Sequence, residues 1–273
     1  MRITALVENT SDNPEIRCEH GLSLYIETEA ENLLFDFGQS ELFEQNAEKL
    51  GIDLSNVDIA VLSHGHYDHG GGLKRFLEIN KKAPVYLNRY AFEPHYNGTE
   101  KYIGLDTELL NNERLVFTDE HYEIRKGLAL YSCNESAKRW KFDSSGLNAS
   151  RNGVFYPEDF RHEHYLLIEE NGRRVLISGC SHKGIINIAE HFRPDVLIGG
   201  FHFMKLELSD DLRLNAERLS HFPTLFYTCH CTGKEQYEFM KPFMKRLRYI
   251  SCGKTVEIQS KNLSARSCSD VDA

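Results

Sequence analysis

The segment "LSHGHYDHGGGL", residues 62–73, places His64, His66, Asp68 and His69 within six positions. Neutral imidazole and carboxylate are ligands for Zn²⁺, Fe and Mn²⁺. His64 and His66, two apart in an extended or turning stretch, can grip one ion together, while Asp68 and His69 come one turn later, point elsewhere and could hold a second. Gly65 keeps the turn open, and Gly70, Gly71 and Gly72 let the backbone pass close to the site and start a helix. A polar loop with surface histidines is the alternative. Four ligand-type side chains in six residues, straight after a buried strand, argue against it.

Other candidates sit at similar places. "DIAVLS" ends at His64, "RRVLISG" ends at Cys180 with His182 two residues on, and "TLFYTC" ends at His230. Ligands in open α/β sheets gather beyond the carboxyl ends of strands. Three separate strand ends therefore deliver His, Cys and Asp groups toward one place. His20, in "EHG" between two β-segments, and His202, in "GGFHF" at the end of a buried strand, could reach the same face for substrate contact or proton transfer. Thr232 and Gly233 follow His230 and open a helix whose first N–H groups could hold an anion. His95, His121, His191 and His221 stand alone and read as surface or hydrogen-bonded core residues.

The elements that must position these groups are legible in the periodicity. "RITALVEN" alternates like a strand, and "GLSLYIETEAENLLFDFG" reads strand, turn, strand. "SELFEQNAEKLG" is a helix with Ser40 as N-cap and Gly51 as stop, "DIAVLS" a buried strand and "GGGLKRFLEIN" another helix. Residues 1–85 thus read β-β-β-α-β-α. In the middle, "YNGTEKYIGLDTELLNNERL" reads as loop with short helical pieces and "LVFTDEHYEIRKGLALYSC" as short strands, while "SSGLNASRNGVFYPEDF" reads as a lid or crossing loop. Regularity then resumes with a hairpin around Asn171-Gly172, the helix "GIINIAEHF", the strand "PDVLIGGF" and the helix "DLRLNAERLSHF". The strand "TLFYTC", the helix "GKEQYEFMKPFMKRL" and the strand "TVEI" complete it. Two β-rich, helix-flanked stretches far apart suggest two pseudo-equivalent halves of one domain, residues 1–258, and the polar tail 259–273 is expected to be disordered.

The chain has 273 residues, enough for a full core. Its formal charge of −9 repels phosphate backbones, so nucleic-acid binding is not expected, although a local basic pocket for one small anion is compatible with it. Its first apolar run is too short for a signal peptide, and no stretch approaches the 18 apolar residues of a membrane span. Seven irregularly spaced cysteines in a chain without an export signal read as reduced thiols, and the expectation is a cytoplasmic protein.

H-x-H-x-D-H after a hydrophobic strand resembles the signature of the metallo-β-lactamase fold superfamily, and the resemblance runs from residue 1 to about 258. "LLFDFG" resembles its first motif, with Asp36 buttressing the metal loop. "RRVLISGC" occupies the place of the strand that ends in a metal-bridging aspartate, and "YTCHCTG" that of the terminal motif with His230. "EHGLSLYIE", "SGCSHKGIINI" and "IGGFHF…HCTG" resemble the branch of dihydropterin-ribofuranosylaminobenzene-phosphate synthases and their bacterial relatives. Two departures stand out. Cys180 replaces the bridging aspartate, and "EDFRHEHY" lacks the expected loop pattern. His182 could supply the missing imidazole, with His162, His164 and, more weakly, Glu163 as alternatives, and Cys180 could be a thiolate ligand or only line the pocket.

The resemblance implies an α+β fold, a four-layer αββα sandwich of two mixed sheets flanked by helices. It also implies two divalent ions, zinc foremost, with manganese or iron as alternatives. His64, His66 and His182 would make the first site and Asp68, His69 and His230 the second, with His20, His202 and Thr232 touching substrate. Two close cations lower the pKa of a shared water toward neutrality, and the hydroxide attacks a carbonyl or phosphoryl centre, with Asp68 orienting it. The expected activity is hydrolysis of a small-molecule ester, phosphodiester, thioester or lactone, with a pterin- or phosphate-related substrate as one option. A metal-bound sensor with little turnover is a competing reading. So is a di-iron redox enzyme, although such members of the fold usually add a flavin domain for which no length remains.

Overall fold

The computed structural model describes residues 1–136 and 138–261. Its first sheet has seven strands in the order Thr255–Glu257, Arg2–Val7, Ser23–Glu27, Asn32–Phe35, Ile59–Val61, Val85–Asn88, Leu115–Thr118. Pairing is antiparallel as far as Asn32–Phe35 and parallel beyond it. The second sheet mirrors that mixture: Leu247–Tyr249, Leu225–Thr228, Val196–Gly199 and Arg173–Ile177 are parallel, and Tyr165–Glu170, Leu128–Tyr131 and His121–Arg125 continue antiparallel.

Alternation along the strands explains the layering, because successive side chains point to opposite faces. Ile3, Ala5, Leu24, Ile26, Leu33, Phe35 and Val61 of the first sheet meet Leu130, Ile168, Val175, Ile177 and Ile198 of the second in a buried core between the sheets. The outer face of the first sheet is covered by the helices Leu42–Lys49 and Leu73–Ile79, through Phe43, Phe76 and Leu77. The outer face of the second is covered by Ile185–Phe192, Asp210–Ser220 and Lys234–Met240. The architecture is the four-layer αββα sandwich expected from the sequence. Among the described residues no helix is long and apolar enough to cross a membrane.

The structure departs from the periodicity in four places. The stretch read as a lid or crossing loop is a β-hairpin, Leu147–Arg151 with Val154–Pro157, and it joins His95–Asn97 and Lys101–Tyr102 in a third, antiparallel sheet. Its turn is Asn152-Gly153, with φ of 52° and 77°, the same Asn-Gly signal that marks the 171–172 hairpin. The helix read across Met240–Leu247 stops at Met240, because Pro242 cannot continue it, and Leu247–Tyr249 becomes an edge strand. Glu41, not Ser40, is the N-cap of the first helix, and the Ser40 hydroxyl instead accepts the Leu42 amide at 3.1 Å and donates to Glu19. In the expected tail, Gln259 and Lys261 are held by Arg173 and Asn171, and residues 262–273 lie outside the described residues.

Ile198 is fully buried between the sheets on the strand that leads to His202. Ile198→Ala should cost about 2–5 kcal/mol of stability, and Leu214→Ala, on an exposed helix face, less than about 0.5 kcal/mol. Urea denaturation midpoints of the two variants test this contrast.

Candidate metal centre

The loops after Asn32–Phe35, Ile59–Val61, Arg173–Ile177, Val196–Gly199 and Leu225–Thr228 converge on one cleft. All but the second turn sharply away from their strands through left-handed backbone angles. Asp36 (φ 61°), Ser181 (59°), His202 (57°) and His230 (48°) all lie in that region. For residues with a Cβ this costs about 1–2 kcal/mol each, and such positions cluster where a site over-determines them.

The anchor is Asp36. Its buried carboxylate accepts the Ser63 amide at 2.6 Å, the Ser63 hydroxyl at 2.8 Å and His69 Nδ1 at 2.6 Å. These bonds fix tautomers. The Ser63 hydroxyl spends its proton on Asp36, so His64 Nδ1, 2.8 Å from that oxygen, is the donor and His64 Nε2 carries a lone pair. His69 Nδ1–H points at Asp36, which leaves His69 Nε2 to offer a lone pair once its own proton is displaced. His230 Nδ1–H donates to Asn9 Oδ1 at 2.8 Å, which leaves another on His230 Nε2.

The bare nitrogens face other nitrogens. His69 Nε2 lies 3.1 Å from His230 Nε2, and His64 Nε2 lies 3.3 Å from His182 Nε2. Each facing pair of nitrogens needs a proton or a metal cation between its atoms. Asp68 Oδ2 is 3.8 Å from His69 Nε2 and 3.5 Å from His230 Nε2, and Cys180 Sγ is 3.2 Å from His69 Nε2. Two donor groups result, His64/His66/His182 and, from the pair distances, Asp68/His69/His230, with Cys180 close to His64, His69 and His230. The residues present fit divalent ions.

Titration follows the same geometry. Burial and mutual repulsion hold His64, His66 and His182 well below the ordinary histidine range, so these rings are neutral and able to ligate. Burial opposes the charged form of His69 too, yet Asp36 and Asp68 prevail and push it up to about 9. Burial would raise Asp68, but His69, His20 and His230 hold it well below the usual carboxylate range. Burial pushes the Cys180 thiol up, and Cys231 adds to it.

The remaining candidates separate. His182 packs flat on Phe160, with ring centroids 4.2 Å apart. Its loop is held by Glu163, whose carboxylate accepts the amides of His182 and Lys183 and the Tyr165 hydroxyl. Glu163 is therefore a scaffold acceptor and not a ligand. His164 is structural as well, with Nε2 on the Leu62 carbonyl and Nδ1 near Thr118. His162 Nδ1 accepts the Gly65 amide at 2.8 Å. His20 Nε2 donates to Asp68 at 3.2 Å, and His202 stands 4.3 Å from the His182 ring, so both reach the cleft.

Thr232 does not reach it. Its hydroxyl accepts the Phe201 amide and pairs with Thr228, and the amides of Thr232 and Gly233 are taken by Cys229 and His230 carbonyls, leaving nothing for an anion. Gly71 and Gly72 serve packing and not the site: a Cβ on either would lie 2.3 Å from the carbonyl oxygen of Gln39 or Phe37, in the loop after Asp36. His121, His191 and His221 are exposed as expected, whereas His95 is buried with Nδ1 on Glu158.

Sequence reasoning missed Glu8, Asn9 and Cys231. Glu8 accepts the His230 amide, and Asn9 ties His230 to His20. Both follow the carboxyl end of the first strand, where the strand-end rule points. Cys231 lines the cleft beside Cys180.

The cleft has a volume of about 230 Å³. Asn97, Lys101 and Leu147 of the third sheet line it, together with Met204, Lys205 and Leu206.

Comparison with known proteins agrees with this fold. The family model of the metallo-beta-lactamase superfamily matches residues 16–221, and the chain belongs to that superfamily. It is 32% identical over 245 residues to the uncharacterized protein MJ0448 of Methanocaldococcus jannaschii, covering 85% of this chain and 90% of that one. It is 28% identical over 287 residues to the same organism's 7,8-dihydropterin-6-methyl-4-(beta-D-ribofuranosyl)-aminobenzene-5'-phosphate synthase, covering 94% and 96%. The solved structure of Tm1679, a metal-dependent hydrolase of the beta-lactamase superfamily, superposes with a TM-score of 0.81 at 32% identity, covering 95% of this chain and all of that one.

Asp36→Asn keeps the shape but turns an amide donor toward Ser63 or His69, both donors. Metal affinity should fall roughly 10–100-fold, as for other lost supporting partners, read by chelator competition on folded protein.

Proposed function

We infer that the chain is a metal-dependent hydrolase of a small anionic molecule. The observation that carries this is the set of imidazole nitrogens turned toward one another beside Asp68, at an open cleft. His64, His66 and His182 would hold one ion and Asp68, His69 and His230 the other. Nitrogen-rich donors suit zinc best, with manganese or iron as substitutes. Bound divalent cations supply Lewis-acid activation of water and of the electrophile's oxygen.

The chain's own residues do the rest. His20 donates to Asp68 Oδ2 and fixes which way that carboxylate faces. His202, with its pKa lowered to about 4 by burial, is neutral and can donate to or accept from a bound substrate. Lys101 and Lys205 both line the cleft, so a protein of net charge −9 offers two cations there. That pair favours a phosphate- or carboxylate-bearing substrate, which suits a phosphodiester or phosphorylated ester better than a neutral lactone. A phosphorylated pterin-type compound falls in this class, and the named synthase relative supports including one.

The test is metal content of protein purified without added metal, followed by a panel of phosphodiester, thioester and lactone substrates. About two zinc or manganese ions per chain and turnover of an anionic ester are expected. His66→Ala should lose metal and more than the roughly 100-fold in kcat/KM that a supporting partner costs. Lys101→Ala should raise KM for an anionic substrate roughly tenfold and leave a neutral one unchanged. Two irons with no hydrolysis would favour redox chemistry, and metal without turnover would favour a sensor.

A further inference from the structure

Behind His66, on the side away from the cleft, three more buried groups come together. His95, Glu158 and His162 are at most 5% exposed, and with His66 each brings a nitrogen or carboxylate oxygen within 4.8 Å of the others. The Nε2 atoms of His66, His95 and His162 are sealed from solvent and without hydrogen-bond partners among the described residues. Orphaned buried nitrogens are costly, so the cluster needs an explanation.

Four ligand-type atoms this close resemble a closed metal site, but the tautomers argue against one. The Gly65 amide donates to His162 Nδ1 at 2.8 Å, so the neutral ring carries its proton on Nε2, which lies 3.5 Å from Glu158 Oε1. Binding a cation at that Nε2 would require an imidazolate. His162 Nε2 is a donor aimed at the carboxylate. His95 is fixed from the other side, because Nδ1 lies 2.8 Å from Glu158 Oε2 and donates to it. A lone pair is left on His95 Nε2. His66 lines the cleft with Nε2 sealed, so Nδ1 is the nitrogen available to a cation, and a neutral ring that ligates through Nδ1 holds its proton on Nε2. One donor and one acceptor are thereby left in the same sealed pocket, with the His66 and His95 ring centroids 5.5 Å apart.

We propose that His95 and Glu158 are positioning residues that set the tautomer and orientation of His66. With an ion on His66 Nδ1, His66 Nε2–H would turn to His95 Nε2, a bond not made in this structure, while His95 Nδ1–H donates to Glu158 Oε2. Glu158 Oε1 faces the His162 Nε2–H at 3.5 Å, and His162 Nδ1 closes the chain on the amide of Gly65, the residue between His64 and His66. The negative carboxylate at the centre makes His95 a better acceptor and His66 a stronger ligand. His95 opens the third sheet and Glu158 follows its hairpin, so the segment that walls the cleft also grips the metal loop. The proposal rests on the reading of His66 as a metal ligand.

The experiment uses the full chain as wild type, Glu158→Gln, His95→Asn, His95→Gln and His66→Ala, each checked for folding by circular dichroism. Cobalt(II) affinity is read by chelator competition, the visible cobalt spectrum is recorded, and ions per chain are counted at saturation. Glu158→Gln and His95→Asn should bind cobalt roughly 10–100-fold more weakly, with shifted visible bands and an unchanged ion count. His95→Gln places an amide oxygen near the position of Nε2 and should recover most of the affinity. If Glu158→Gln does not fold, the His95→Gln and His95→Asn pair still carries the test. Unchanged affinity and spectrum in His95→Asn would overturn the proposal. So would one more ion in wild type than in His95→Asn, since the cluster would then be a metal site. Unchanged cobalt binding in His66→Ala would overturn the ligand reading beneath it, an outcome separable from failure of the relay.

Discussion

The buried Asp36 carboxylate is the interaction on which the metal loop depends. An isolated carboxylate at zero exposure is costly, and here three donors from one loop meet its oxygens. Those donors are the Ser63 amide, the Ser63 hydroxyl and His69 Nδ1. Together they determine which nitrogen of His64 and which of His69 is bare. Removing a partner from such a buried charge typically costs about 3–5 kcal/mol. The local fold and the readiness to bind a cation are therefore one property, since the bonds that hold the loop down are those that orient its lone pairs.

The donors come from both sheets, and this makes the site a consequence of how the sandwich closes. His64, His66, Asp68 and His69 follow a strand of the first sheet, while His182 and His230 follow strands of the second. Apolar packing between Phe35, Val61, Ile177 and Ile198 sets the distance across which the nitrogens meet. Crossing loops lace the two halves as well. The His164 amide donates to the Ser63 carbonyl and its ring to the Leu62 carbonyl, and Asn9 spans His20 and His230. The left-handed angles at Asp36 and His230 persist because bonds hold those turns from more than one side.

The sequence was most legible where a single element decides the outcome. The 62–73 segment carries its ligands within one loop, and period-two alternation placed most of the strands that surround it. His182 and His230 could be proposed because both stand just past strand ends. What escaped notice depended on partners distant in sequence. Glu163 looked like a ligand until its carboxylate was found on the amides of His182 and Lys183. Thr232 looked like an anion site until its hydroxyl was found on Phe201. Glu8 and Asn9 act through a residue more than 220 positions away, which no local pattern reveals. The 147–157 hairpin was a local miss, since Asn152-Gly153 is a turn signal overlooked in a polar stretch.

Cys180 shows what the departure from an aspartate means physically. A bridging carboxylate brings negative charge to both cations, whereas a buried thiol is neutral until something stabilises its thiolate. Burial pushes the Cys180 thiol well above its ordinary value, and the neighbouring Cys231 adds to that. The negative charge among the candidate ligands comes from Asp68 and, through His69, from Asp36. An ion at His69 would itself favour the thiolate, because Cys180 Sγ already lies 3.2 Å from the same nitrogen. The thiol thus makes the charge of the centre conditional on its occupancy, where an aspartate would supply it permanently.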